Sequence, residues 1–141
     1  MGRTSTSYSL VVPASLRKQW NQELQDKFEL PSVVLDSKVV AELKNQGFVR
    51  PFEQEDNIII CSYDYAARQS DLLKLVDWDL VVFDEAHKLR NIYQKNKAKR
   101  ARAVVDATEH ADSRVLLSAT PLQNNLMELY GLSKVIDRFL R

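Results

Sequence analysis

The sequence has few cysteines, few glycines and almost no net charge, and each shortage excludes a class of protein. The single cysteine, Cys61, cannot form an internal disulfide or build a cysteine zinc site, so we interpret it as a buried small hydrophobic residue in a reducing, cytoplasmic setting. A net charge of +1, from 20 basic and 19 acidic residues, predicts no overall electrostatic attraction to polyanions. The three glycines are Gly2, Gly47 and Gly131, and none precedes a lysine, so the sequence contains no Gly-x-x-x-x-Gly-Lys loop.

Long apolar runs are also absent. No segment approaches the roughly 18 apolar residues that a membrane span requires, so we expect no membrane partner. The 141 residues, 45% hydrophobic and 28% charged, have the size and composition of one soluble globular domain. We expect residues 1–8 to form a disordered leader and residues 9–141 to form the domain.

Five short apolar runs predict the strands of a sheet. They cover residues 10–12, 33–35, 58–60, 80–83 and 115–117. The runs are rich in β-branched residues and continuous rather than alternating, which is typical of strands buried on both faces of a parallel sheet. Residues 44–57 are interpreted as an exposed loop.

Helical periodicity separates most of these runs. The predicted helices cover residues 15–28, 64–76 and 97–109, and a fourth starts at residue 125. The first helix has Ser15 as its cap and an apolar face of Leu16, Trp20, Leu24 and Phe28. The third has an apolar face of Ala101, Val104, Val105 and Thr108. The alternation of strands and helices predicts an α/β fold with right-handed crossovers.

Polar residues follow four of the predicted strands, at the edge of a parallel sheet where ligands bind. These tails are residues 13–15, 61–63, 84–87 and 118–121. In the third tail, Asp84 suits Mg²⁺ binding through water, and Glu85 could orient a water for attack on a γ-phosphoryl group. Ser118 and Thr120 are suited to hydrogen-bond across to this acidic pair or to His87.

The residues around these tails resemble the motifs of the Snf2-like ATPases of helicase superfamily 2. Residues 82–91 (VFDEAHKLRN) are similar to motif II, and residues 116–130 (LLSATPLQNNLMELY) are similar to motif III. Residues 10–16 with Trp20 resemble motif Ia, and residues 59–63 resemble motif Ib. The spacing is similar to that of the bacterial branch that includes RNA-polymerase-associated ATPases, and the likeness runs from about residue 9 to the C-terminus.

This resemblance implies a three-layer RecA-like fold of the P-loop NTPase class with a mainly parallel sheet. It implies the first of two lobes, incomplete because the unit with the P-loop (motif I) is missing, with ATP and Mg²⁺ bound between the lobes of the intact parent. By the match, Asp84 is the Mg²⁺ carboxylate and Glu85 is the water-activating base, both at the nucleotide, while His87, Ser118 and Thr120 couple hydrolysis to motion.

The resemblance also implies partners. Duplex DNA would lie across both lobes, and Pro13, Ser15 and Ser62 would touch its backbone phosphates. The missing second lobe and RNA polymerase are further expected partners, and a sheet edge left unpaired would favour self-association. Without motif I and the second lobe, we expect these residues alone to be inactive and to bind neither ATP nor Mg²⁺ tightly.

Two alternatives stay open. Residues 86–105 carry seven Lys/Arg and no Asp/Glu, whereas the rest of the chain has 13 basic and 19 acidic residues, a net of −6. This basic segment is either a solvated helix start or the contact surface of a non-catalytic module that binds nucleic acid or protein. The second alternative is a metal-dependent hydrolase that uses Asp84, Glu85 and His87, with His110 as the only other histidine.

Overall fold

The computed structural model describes residues 6–86 and 97–117, which form a sheet flanked by helices. In chain order the elements are β1 (Tyr8–Val12), a 3-10 turn (Ala14–Leu16), α1 (Arg17–Phe28), β2 (Ser32–Val34), α2 (Ser37–Asn45), β3 (Ile58–Ser62), α3 (Tyr63–Arg68), α4 (Ser70–Leu73), β4 (Leu80–Phe83), α5 (Lys97–Ala107) and β5 (Ser113–Leu116). This alternation confirms the predicted α/β class. No helix in these two ranges is long and apolar enough to cross a membrane.

The five strands of the described chain run parallel, in the order β2-β3-β1-β4-β5. The central strands β1 and β3 are buried over four of their five residues, which is the reason for their continuous apolar runs. All five predicted strands are present, and their bounds lie within two residues of those expected. The ordered sheet begins before the expected domain boundary at residue 9. Tyr8 is the first residue of β1, and the N–H of Ser7 donates to Oδ2 of Asp79 at 2.7 Å.

Two apolar clusters on opposite faces of the sheet make the fold three-layered. On one face, buried residues of α2, α3, α4 and α5, such as Val40, Tyr65 and Val104, pack against the sheet. On the other face, Leu24 of α1 packs against Leu10 and other residues of the strands. The predicted apolar face of the third helix is confirmed, because Ala101, Val104, Val105 and Thr108 are all buried.

An apolar groove of about 600 Å³ lies beside α1, on the face of the sheet that carries this helix. Side chains of β1, β4 and β5 line it, among them Leu80 and Val82. Tyr8, Val115 and Leu117 also line it and are each 38–40% exposed. Within the described chain, α1 therefore covers only part of this apolar sheet face.

The start of the first helix differs from the prediction. Ser15 does not cap it: Ser15 lies inside a 3-10 turn, and α1 begins two residues later at Arg17 without a side-chain cap hydrogen bond. The turn is closed by the backbone instead, because the Leu16 N–H donates to the Pro13 carbonyl at 2.9 Å. The Arg17 Nε–H then donates to the carbonyl of Ala14 at 3.0 Å.

The predicted apolar face of α1 is only partly correct. Leu24 is buried and Trp20 is half-buried, but Phe28 is 64% exposed. On a helix of 3.6 residues per turn, Trp20 and Phe28 lie roughly 40° to either side of Leu24, and Phe28 is the last residue of α1.

The helix predicted over residues 64–76 is divided into α3 and α4 at Gln69, which has non-helical dihedral angles. The second piece ends at Leu73, whose carbonyl accepts the indole N–H of Trp78 at 3.1 Å. Leu73, Val76 and Trp78 are all buried. Core packing of these side chains therefore outweighs the continuity of a single longer helix.

The loop predicted over residues 44–57 is not exposed throughout. Its first two residues end α2, a helix that the sequence analysis did not identify, although Asp36 caps it by accepting the Val39 N–H at 2.9 Å. Pro51 and Phe52 are buried, and the Phe52 ring stacks on Tyr65 with a centroid separation of 6.2 Å. Phe52 thus anchors a mostly exposed segment to the core.

Candidate functional site

The predicted site residues that the structure describes gather at the carboxyl edge of the sheet. Val12 pairs with Ser62, Val11 pairs with Phe83, and Phe83 pairs with Leu116. The residues that directly follow these strands therefore lie at nearly the same level, as in other open parallel sheets. This level holds Pro13, Tyr63 and Asp84, with Ser62 as the last residue of β3.

Asp84 is held by three hydrogen bonds that come from three different elements. Its backbone N–H donates to the Val11 carbonyl at 2.9 Å, which extends the ladder between β1 and β4. Its carboxylate Oδ2 accepts the indole N–H of Trp20 on α1 at 2.8 Å. Its backbone carbonyl accepts the hydroxyl of Tyr63, the first residue of α3, at 2.6 Å. Both the side chain and the backbone of Asp84 are thus fixed.

Glu85 has a left-handed backbone conformation, with φ of 53°. Hydrogen bonds hold the residues on both sides of it, since Tyr63 binds the Asp84 carbonyl and the Ala86 N–H donates to the Leu117 carbonyl at 2.8 Å. A non-glycine residue in this region costs free energy of order 1–3 kcal/mol, and such residues cluster at functional sites. The acidic pair therefore lies on a strained turn that its neighbours keep in place.

The environment of Tyr63 keeps its hydroxyl protonated. Burial raises its pKa above the ordinary value, and the negative charges of Asp84 and Glu85 raise it further. The hydroxyl therefore remains a hydrogen-bond donor to the Asp84 carbonyl across the ordinary pH range. Its ring stacks on Phe83 with a centroid separation of 6.4 Å.

The residues predicted to follow nucleic acid occupy different environments. Ser15 is exposed and Pro13 is half-buried, both in the turn after β1. Ser62 is only 7% exposed, and its hydroxyl caps α3 by accepting the Tyr65 N–H at 3.1 Å. A capping role is therefore visible for Ser62, while a phosphate contact by any of the three stays a prediction.

Basic residues of α5 lie at the same edge. Arg100, near the start of this helix, forms an ion pair with Asp64 of α3 at 3.0 Å, and both side chains are about 70% exposed. Lys99 and Arg102 are also exposed. Because Asp64 lies two residues after β3, this pairing places the first turns of α5 beside the ends of the strands.

The chemistry of Asp84 fits a Mg²⁺ ion bound mainly through water. Mg²⁺ prefers oxygen ligands and is held by one or two carboxylates while it keeps several waters. Residues 6–86 and 97–117 contain no group of three or more His, Cys, Asp or Glu side chains arranged to hold a metal ion. The alternative metal-hydrolase site is not formed with His110. The start of α5 lies beside the ends of the strands, whereas His110 follows the other end of this helix, which is roughly 16 Å long.

Several predictions concern residues outside the described ranges. His87, Ser118 and Thr120 are among them, as are residues 87–96 of the basic segment and the helix predicted from residue 125. Cys61, by contrast, is fully buried in the larger apolar cluster, which confirms its interpretation as a hydrophobic core residue.

Trp20 and Tyr63 are site residues whose contacts sequence reasoning missed. Trp20 was assigned to the apolar face of a helix, yet its N–H points to a carboxylate that lies 64 positions away in the sequence. A signal existed for Tyr63, because it follows β3 directly and must reach the same edge of the sheet as Asp84.

Comparison with known proteins identifies the family of this chain and a solved structure of similar fold. The model of the SNF2-related domain family matches residues 3–138, which is nearly the whole chain. The chain belongs to the SNF2-related domain family. Among solved structures, it is similar to the SWI2/SNF2 ATPase core of Sulfolobus solfataricus in complex with dsDNA, with a TM-score of 0.65 and 23% sequence identity. That match covers 92% of this chain and 25% of the other chain, so this SNF2-related domain spans about a quarter of that protein.

The family and the matched fold agree with the predicted architecture. The parallel sheet with helices on both faces is that of a RecA-like SNF2 ATPase core, as the resemblance implied.

Proposed function

We propose that this chain is part of a Snf2-like, nucleic-acid-stimulated ATPase that uses ATP hydrolysis to drive translocation on DNA or its remodelling. One observation carries the proposal: Asp84 and Glu85 follow β4 at the carboxyl edge of the sheet, and Trp20 and Tyr63 hold Asp84 there. Membership of the SNF2-related domain family supports it.

In this proposal Asp84 and Glu85 have different roles in ATP hydrolysis. Asp84 holds Mg²⁺, which neutralises charge on the nucleotide phosphates when it is bound. Glu85 orients the attacking water and accepts its proton. His87, Ser118 and Thr120 couple this chemistry to movement of the protein. ATP binding additionally requires a phosphate-binding loop, which residues 1–141 do not contain.

The first experiment uses isothermal titration of Mg-ATP into a polypeptide of these 141 residues. We expect no tight binding, because no Gly-x-x-x-x-Gly-Lys loop is present to surround the β- and γ-phosphates. Tight binding or measurable turnover would contradict this part of the proposal.

Duplex DNA is the proposed partner at the sheet edge. The exposed basic residues Lys99, Arg100 and Arg102 on α5 support it, because phosphate contacts by such side chains supply most of the affinity for nucleic acid. Fluorescence anisotropy with duplex DNA at two salt concentrations tests it. We expect Lys99→Gln to weaken binding and to lower the log–log salt slope by about 0.9.

Lys74→Gln is the matched control for this experiment. Lys74 is exposed and directly follows α4, so the control makes the same change of charge outside α5. Equal effects of the two substitutions, or binding without salt dependence, would contradict the proposed DNA surface.

A second candidate is a non-catalytic module that binds nucleic acid or protein through the same basic residues. The exposed Arg100–Asp64 pair beside the strand ends favours a surface role for α5 whether or not ATP is hydrolysed. DNA binding by this chain, together with no hydrolysis in a protein that carries all the ATPase motifs, would favour this candidate. RNA polymerase as a protein partner stays a prediction.

A further inference from the structure

At the carboxyl edge of the sheet, two aromatic side chains donate hydrogen bonds to the same residue, Asp84. Trp20 donates to the Asp84 carboxylate at 2.8 Å, and Tyr63 donates to the Asp84 carbonyl at 2.6 Å. Both donors come from other elements, α1 and α3, which are separate from β4 in the sequence. Two side chains therefore hold Asp84, in addition to the hydrogen bond from its backbone N–H to the Val11 carbonyl. We call the pair Trp20 and Tyr63 the clamp.

We infer that Trp20 and Tyr63 are positioning residues that fix the rotamer of the Asp84 carboxylate and the left-handed turn at Glu85. The inference deepens the proposed function and rests on it only for the Mg²⁺ role of Asp84. Trp20 acts on the side chain, and Tyr63 acts on the peptide group that joins Asp84 to Glu85.

The second tryptophan shows what a purely structural indole looks like in this fold. Trp78 is 2% exposed, and its N–H donates to a neutral backbone carbonyl, that of Leu73, at 3.1 Å. Trp20 is only half-buried, and its N–H donates to a charged group over a shorter distance. Hydrogen bonds to ionised groups are roughly twice as strong as neutral ones, so the bond to Asp84 is well suited to orient a carboxylate.

Tyr63 fixes the backbone rather than the side chain. Its hydroxyl holds the carbonyl of Asp84, while the Ala86 N–H is held by the Leu117 carbonyl. Glu85 lies between these two anchors with φ of 53°. A strained backbone conformation persists only where its surroundings over-determine it, and these two hydrogen bonds supply that constraint.

The clamp also joins the acidic pair to the turns that follow the neighbouring strands. Trp20 lies on α1, which starts directly after the turn containing Pro13 and Ser15. Tyr63 directly follows Ser62. The residues predicted to follow nucleic acid are thus covalent neighbours of the elements that hold Asp84.

The test for Trp20 uses NMR of the isotope-labelled chain and the three-bond couplings that report χ1 of Asp84. The wild-type chain is expected to give the couplings of one staggered rotamer. Trp20→Phe keeps an aromatic side chain, though a smaller one, and removes the N–H, so averaged couplings are expected. Trp78→Phe is the matched control and is expected to keep a single Asp84 rotamer. A single rotamer in Trp20→Phe, or equal averaging in both variants, would overturn the Trp20 part of the inference.

A second variant, changed at Asp84, tests the same hydrogen bond if Trp20→Phe does not fold. Asp84→Asn replaces the charged acceptor by a neutral one, and we expect the indole proton signal of Trp20 to move upfield while that of Trp78 stays in place. An unmoved Trp20 signal, or equal movement of both signals, would contradict the hydrogen bond on which the inference depends.

The test for Tyr63 uses the Cα chemical shift of Glu85, which reports the left-handed φ. Tyr63→Phe is expected to move this shift toward its ordinary value, and Tyr8→Phe is the matched control that leaves it unchanged. An unchanged shift in Tyr63→Phe would overturn the Tyr63 part. These NMR readouts need neither ATP nor DNA, so their failure is separate from a failure of the proposed ATPase, which is measured by hydrolysis.

Discussion

The hydroxyl of Tyr63 donates a hydrogen bond to the backbone carbonyl of Asp84 at 2.6 Å. This bond predicts that Tyr63→Phe lowers the free energy of unfolding by about 1–3 kcal/mol, because it leaves a half-buried carbonyl without its partner. Urea unfolding followed by circular dichroism measures the change. Tyr8→Phe, at a residue 38% exposed, is expected to stay within about 0.5 kcal/mol of wild type. Equal losses in the two variants would contradict the importance of the Tyr63 bond.

Alkaline pH is expected to destabilise the fold through Cys61. Burial raises the pKa of its thiol from 9.0 to about 12, so the folded chain keeps a proton that the unfolded chain loses. The stability from this group is complete below pH 9 and falls as the pH rises toward 12, by about 1.4 kcal/mol per pH unit. Burial also raises the pKa of Tyr63 and Tyr65 above the ordinary value of 10.0, and these tyrosines add a slope of the same sign as the pH approaches 10. Cys61→Ala should therefore reduce the slope between pH 9 and 10 without abolishing it. An unchanged slope in urea unfolding over that interval would contradict the prediction.

The left-handed conformation of Glu85 predicts an unusual order of stability among substitutions. Glu85→Gly should be more stable than Glu85→Ala by roughly 0.5–1 kcal/mol, because both remove the carboxylate but only glycine relieves the strain. Glu29, at the C-terminal end of α1 with φ of 54°, is the matched position and should give the same order. Thermal unfolding measures both pairs, and alanine variants as stable as their glycine counterparts would contradict the strain.

Self-association is expected through the apolar groove and the adjacent edge of β5, the last strand on that side of the described sheet. Val115→Lys places a charge in this groove and should reduce any concentration-dependent rise in mass. Leu75→Lys is the matched control, because Leu75 is 51% exposed and does not line the groove. Light scattering over a range of concentrations measures the mass, and a wild-type chain that stays monomeric at high concentration would contradict the prediction.

The strands could be predicted from the sequence because their signal is local. The run Leu80–Phe83 is apolar and β-branched since β4 lies between two other strands, and its predicted bounds match those observed. The same reasoning places polar residues at one edge of the sheet, so Asp84 could be assigned to the site before its contacts were known.

The contacts of the site could not be predicted, because they depend on how distant elements pack. The hydrogen bond from Trp20 to Asp84 joins residues 64 positions apart and requires the position of α1 on the sheet. Phe52 was assigned to an exposed loop by the polar residues around it, yet its ring is 1% exposed because it packs on Tyr65. The left-handed Glu85 has no local signal either, since glycine or asparagine would be the usual choice there.

The proposed role of Asp84 and Glu85 in ATP hydrolysis is tested by Glu85→Gln in a protein that carries this segment together with a phosphate-binding loop and a second RecA-like lobe. The measurement is the rate of ATP hydrolysis with and without duplex DNA, alongside nucleotide binding. We expect a loss of at least about 100-fold in the DNA-stimulated rate, because a general base contributes that much or more, with nucleotide binding retained. Hydrolysis by Glu85→Gln at the wild-type rate would contradict it.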